Sequence, residues 1–111
     1  MPQVGELRVE HKHRAGRHEL TLTGELDVVT APRLRAAVAE GEAADPKGEL
    51  VIDLRRVVFM DSSGLRTVLA MWDECRERGR GFYVIPDRGP CMRLFELTGV
   101  LDELPLLPPD A

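Results

Sequence analysis

The sequence predicts an α/β fold, a small sandwich with a mixed, mostly parallel β-sheet, an N-terminal hairpin and helices packed against the sheet. Three observations predict it. Apolar and polar residues alternate over the first two dozen positions. Two short apolar runs, Leu50–Leu54 and Phe82–Ile85, suit buried strands, and stretches with helical spacing of apolar residues lie before, between and after them.

Taken in order, Leu7 and Val9 alternate with Arg8 and Glu10, the turn-like Arg14-Ala15-Gly16-Arg17 follows, and Leu20, Thr21, Leu22 and Thr23 alternate again, which makes a hairpin. Thr30 is a capping residue and Pro32 suits a first turn, so Leu34, Ala37, Val38 and Gly41 define a first helix. Asp45-Pro46 ends it, and Leu50–Leu54 is a strand covered on both faces. After Arg55-Arg56 and Val57–Met60 comes the polar quartet Asp61-Ser62-Ser63-Gly64, then a helical stripe of Leu65, Val68, Leu69, Trp72, Cys75 and Gly79. Arg76, Arg78 and Arg80 suit the negative end of that helix dipole, and Gly79 suits a left-handed cap. Phe82–Ile85 is a strand closed by Pro86, and a last helix runs from Pro90 through Met92, Leu94, Phe95 and Leu97 to Gly99. A Pro-rich apolar tail, Leu104–Pro109, follows. Strand, helix, strand at this spacing implies a right-handed parallel crossover, with the quartet at the carboxyl edge of the sheet, where such sheets carry their sites.

With 111 residues, 43% hydrophobic and 31% charged, the chain is expected to form one domain over residues 1–111 with its core at about 5–107. A net charge of -4 argues against a broad cationic face, so no direct nucleic-acid partner is expected. Thirteen of the fifteen basic residues are Arg, but they are scattered; only Lys12 and Lys47 are Lys. The start, MPQVGELRVEH, has no apolar signal run, and no apolar stretch approaches the roughly 20 residues of a membrane span, which points to a cytoplasmic protein with no membrane partner. Cys75 and Cys91 form neither a CxxC motif nor a disulfide pattern, as expected of free thiols in a reducing compartment.

The quartet carries the functional signal. A serine at a helix start can cap free amides, and a phosphate placed there meets the positive end of the helix dipole. Ser62 and Ser63 are both candidates, and Asp61 can cap as well. Gly64, lacking a side chain, lets a partner's active site approach the backbone. From the residues alone, a simple cap and a phosphate-accepting site stand as equal readings.

Phe59-Met60-Asp61-Ser62-Ser63-Gly64-Leu65 strongly resembles the signature of STAS domains, in particular the bacterial anti-sigma factor antagonists. Leu22-Thr23-Gly24-Glu25-Leu26-Asp27 and Arg93-Leu94-Phe95-Glu96-Leu97-Thr98-Gly99 agree with the same family in order and spacing, so the resemblance covers nearly the whole chain. It implies a STAS-like sandwich and a partner-switching regulator. The unphosphorylated antagonist would bind an anti-sigma factor with serine kinase activity and free the sigma factor. The kinase would phosphorylate the serine after the Asp, here Ser62, and a protein serine phosphatase would reverse this. The resemblance puts Asp27, Asp61, Ser62, Ser63 and Gly64 on the partner surface, with Ser63 as the capping neighbour. Asp27 also reads as a turn residue ending a strand. Thr67 and Met71 follow Ser63 at i, i+4 spacing and would extend the surface, unless Met71 packs inward. The rival reading is a STAS scaffold or sensor subunit that binds a regulator or small ligand without sigma control; the free-standing length favours the antagonist.

No cofactor is expected. His11, His13 and His18 can approach one another at the hairpin tip, but no carboxylate or thiol is obviously recruited and solvated strand ends explain them equally, so no metal is expected. Cys75 reads as a buried hydrophobe, and Cys91, near a helix start, as the more reactive thiol. Catalysis by Ser62 lacks a G-x-S-x-G elbow and a histidine outside the first hairpin, so the chain is read as a substrate of enzymes and not as one itself. Leu65, Trp72 and Phe95 are expected in the core.

Overall fold

Alternation near the N-terminus does produce a hairpin. A computed structural model describes residues 6–108, so Gly5 at the start of the expected core and Pro109 at the end of the expected tail lie outside the described residues. Strands β1 (Leu7–Arg14) and β2 (Arg17–Leu26) pair antiparallel, with Arg14 opposite Arg17. The two-residue turn between them puts Ala15 at φ 51° and Gly16 at φ 74°, the positive φ pair that lets a tight hairpin follow the strand twist. Along β2 every second residue, from His18 to Leu26, is buried.

Helix α1 (Ala31–Ala44) buries Ala31, Leu34, Val38 and Gly41 on one stripe and then ends at Asp45. Strand β3 spans Glu49–Met60, parallel to β2, and is longer than the apolar run alone suggests. Arg55-Arg56 does not end it. Two register shifts, between Thr21 and Thr23 and between Gly24 and Glu25 of β2, absorb extra β3 residues, so the in-out alternation breaks while pairing continues to Leu26–Met60. In its first half Leu50, Ile52 and Leu54 face one side and Val51 is buried on the other, as expected for a strand covered on both faces.

Helix α2 (Ser62–Glu77) buries Gly64, Leu65, Val68, Met71 and Cys75. Trp72 differs from expectation: it is only half-buried, and the Arg76 guanidinium lies 5.0 Å from its ring centroid. Gly79 takes the left-handed φ of 65°, and the Arg80 amide reaches back to the Cys75 carbonyl at 2.8 Å, closing the helix. The arginines there do more than meet a dipole. Arg78 pairs with Glu42 of α1 at 2.9 Å, while buried Arg80 pairs with the same carboxylate at 3.2 Å and donates through Nε to the Gly48 carbonyl.

Strand β4 (Phe82–Ile85) pairs parallel with β3, giving the order β1-β2-β3-β4. Its outer edge is covered by the tail: the Val84 amide donates to the Pro105 carbonyl at 2.9 Å, and the Leu107 amide to the Val84 carbonyl at 2.8 Å. Helix α3 (Pro90–Thr98) buries Cys91 and Phe95 and ends at Gly99, φ 77°. Leu97, expected on its apolar stripe, is instead 78% exposed. Among the described residues, no helix is long and apolar enough to cross a membrane.

Candidate functional site

Parallel pairing of Leu26 with Met60 brings the ends of β2 and β3 side by side, so the next residues, Asp27 and Asp61, open adjacent turns at the carboxyl edge of the sheet. The Asp61 amide donates to the Leu26 carbonyl at 3.3 Å, which ties the two turns together.

Asp61 is the N-cap of α2. Its Oδ1 accepts from the Gly64 amide at 2.9 Å and its carbonyl from the Leu65 amide at 3.0 Å. The capping role read for the serines therefore falls to the aspartate. Ser62 occupies the first helical position, is exposed, and its hydroxyl makes no hydrogen bond among the described residues. Ser63 is half-buried and its carbonyl accepts from the Thr67 hydroxyl at 3.1 Å. What remains at the helix start is a free hydroxyl above unpaired amides at the positive end of a 16-residue helix.

Gly64 is needed for a different reason from the one read in the sequence. It is buried, and a Cβ there would run into the Leu26 carbonyl oxygen and stand 3.0 Å from the carbonyl carbon. The missing side chain lets α2 dock on the end of β2.

Asp27 acts as a turn residue. Its Oδ1 accepts from the amides of Val29 at 2.9 Å and Thr30 at 3.0 Å. Thr30, expected as a side-chain cap, is buried and turns its hydroxyl back to the Glu25 carbonyl at 2.8 Å. Thr67 stays half-exposed one turn behind Ser63, but Met71 is 2% exposed and cannot extend the surface.

Sequence reasoning missed the apolar part of this edge. Val28 and Val29 in the first turn, and Val58 and Phe59 at the end of β3, are all exposed, Val29 at 70% and Phe59 at 46%. The signal was available in principle: Val28-Val29 sits inside a capping turn with no core-facing register, and Val58-Phe59 follows the bulged stretch of β3. Large apolar side chains gathered beside a polar loop mark an interaction surface.

The remaining candidates are placed as follows. Cys75 is buried, and burial raises its thiol pKa. Cys91 is fully buried; burial, then the Asp87 carboxylate, push its thiol far up, so the reactive thiol expected at the helix start is a core residue. Asp87 caps α3 instead, accepting from the Cys91 and Met92 amides at 3.1 and 2.9 Å. The three histidines do meet, with His13 directly opposite His18; His11 and His13 are exposed, but His18 is 1% exposed and no solvated strand end, and Asp45 is the carboxylate the sequence did not reveal.

The STAS domain family model matches residues 7–109. An anti-sigma-B factor antagonist of Listeria monocytogenes is 32% identical over 99 residues, covering 86% of this chain and 84% of its own. The crystal structure of an anti-sigma factor antagonist from Mycobacterium paratuberculosis superposes with a TM-score of 0.81 at 33% identity, over 96% of this chain and 89% of that one. The Bacillus cell fate determinant SpoIIAA in its phosphorylated form shares the fold, with a TM-score of 0.65 at 23% identity over 91% and 90% of the two chains. The match runs through the hairpin, the serine loop and the last helix alike, and the chain belongs to the STAS domain family.

Proposed function

We propose that this chain is an anti-sigma factor antagonist that binds an anti-sigma factor with serine kinase activity while Ser62 is unphosphorylated, and releases it once Ser62 is phosphorylated. The observation that carries the reading is the division of labour at the loop: Asp61 caps the helix, so the exposed Ser62 hydroxyl has no structural task. The names of the Listeria and Mycobacterium relatives support the antagonist role, and the phosphorylated SpoIIAA structure supports a modified form.

In the kinase reaction the Ser62 Oγ attacks the γ-phosphorus of ATP, its proton passes to a base of the kinase, and ADP leaves. A protein serine phosphatase returns the hydroxyl by hydrolysis. The chain itself contributes presentation: a hydroxyl on a rigid helix start, with Val28, Val29 and Phe59 beside it as apolar anchors and Asp61, Ser63 and Thr67 as the polar part of the surface. Phosphorylation adds about -1.5 to -2 charges beside Asp61 and Asp27. A penalty of about 3 kcal/mol at the interface weakens binding more than a hundredfold, so release needs no refolding.

The test is mass spectrometry of the chain incubated with ATP in a lysate of its host. One phosphoryl group mapping to Ser62, and absent from Ser62→Ala, is the expected result; an unmodified chain in a lysate with active antagonist kinase supports the scaffold reading instead.

A further inference from the structure

At the opposite end of β2, eight residues or about 26 Å from Leu26, the hairpin tip gathers three potential metal ligands. We propose that His13, His18 and Asp45 form a site for a divalent transition metal of the zinc type, which would clamp the hairpin onto the end of α1. One ligand atom from each of the three lies within 4.8 Å of the other two. His13 Nε2 is 3.1 Å and His18 Nε2 3.9 Å from Asp45 Oδ2. Ligands on a tetrahedral zinc ion, at about 2.0–2.1 Å from the metal, stand roughly 3.3 Å apart, so closing on an ion takes small side-chain movements.

Three features separate this cluster from a chance surface group. His18 is 1% exposed, and its ring is fixed at both nitrogens: Nε2 lies 2.8 Å from the Asp45 carbonyl oxygen and Nδ1 2.8 Å from His11 Nε2. To ligate through Nε2, His18 gives up its Nε2 hydrogen bond to the Asp45 carbonyl in exchange for the metal and takes the tautomer with a proton on Nδ1, which it donates to His11. That makes His11 the outer partner that orients a metal-binding imidazole. Two glycines also leave room. A Cβ on Gly48 would stand 2.7 Å from Asp45 Oδ2 and 3.0 Å from His18 Nε2, and one on Gly41 would stand 3.1 Å from His18 Nδ1. Finally, the ligands come from three elements, β1, β2 and the C-cap of α1, so an ion would cross-link them. Two neutral imidazoles and one carboxylate leave an open position for water and favour zinc, or cobalt and nickel, over the harder calcium and magnesium.

The untagged full chain, stripped with a chelator, is titrated with ZnCl2 by calorimetry and with CoCl2 in the visible. The expected result is one ion per chain, tetrahedral cobalt bands, and a Tm raised by roughly 10 °C at a hundredfold excess over Kd. His13→Gln and Asp45→Asn, both at the surface, are expected to fold and to bind at least tenfold more weakly; His11→Phe is expected to lose about 10–100-fold. No heat and no Tm shift in the wild-type chain would overturn the proposal, as would equal affinity in His13→Gln and Asp45→Asn. None of these outcomes depends on Ser62.

Discussion

The carbonyl oxygen of Leu26 occupies the space that any side chain at Gly64 would need. One backbone contact therefore sets how α2 meets the sheet and where the serine loop stands. Alanine favours a helix over glycine by about 1 kcal/mol, yet Gly64→Ala is expected to destabilise the chain by about 2 kcal/mol or more, because the obstacle is backbone and cannot swing away. Urea unfolding of the variant measures this; unchanged or raised stability would mean that α2 docks differently.

Asp61 and Ser62 are neighbours with separable tasks. Asp61→Ala removes the side-chain acceptor for the Gly64 amide and is expected to cost about 1 kcal/mol. Ser62→Ala removes an exposed hydroxyl with no partner among the described residues and is expected to stay within about 0.5 kcal/mol of wild type. Chemical denaturation of both variants decides between an aspartate cap and a serine cap.

Phe59 lies at the apolar rim of the loop with 46% of its surface exposed. Phe59→Ala is expected to leave Tm within a few degrees of wild type while weakening binding to the anti-sigma partner at least tenfold, as expected of an aromatic anchor. Calorimetric binding together with a thermal melt separates this from a folding defect.

Arg35 and Glu74 join α1 to α2 through two hydrogen bonds of 2.9 and 3.0 Å, and the hydrogen bond from Arg35 holds the Glu74 carboxyl below its usual value of 4.5. The folded chain thus binds this proton less readily than the unfolded one. The contribution is present above pH 4.5 and fades as pH falls through the depressed value. The pair is exposed, so it is worth under about 1 kcal/mol. Glu74→Gln is expected to be slightly less stable than wild type at pH 7, with the gap closing toward pH 3, in denaturation curves measured across that range.

Much of this architecture is legible in local patterns. Leu7 to Leu22 alternate as a hairpin must, Leu65 to Cys75 recur at helical spacing, and Gly79 and Gly99 stand where left-handed caps are needed. Contacts distant in sequence were not legible. β3 continues through Arg55-Arg56 because β2 and β3 shift register, which depends on both strands together. Trp72 is only half-buried, packed against the core and with the Arg76 guanidinium over its ring. Each of the three strand-to-helix turns carries an aspartate: the Asp61 and Asp87 carboxylates accept from amides of the helix start, and the Asp27 carboxylate accepts from the Val29 and Thr30 amides of the turn before α1. That pattern is present in the sequence, but Thr30 after Asp27 and Ser62-Ser63 after Asp61 offered competing caps. Asp45 reaches His13 across 32 residues, a pairing that only the packing of α1 on the hairpin creates.

The central claim is that the charge state of Ser62 controls partner binding, and it is tested most directly by the affinities of Ser62→Ala and Ser62→Asp for the cognate anti-sigma kinase, measured side by side. The account predicts that Ser62→Ala binds as tightly as the unphosphorylated chain and that Ser62→Asp binds about a hundredfold more weakly. Equal affinity of the two variants would contradict it.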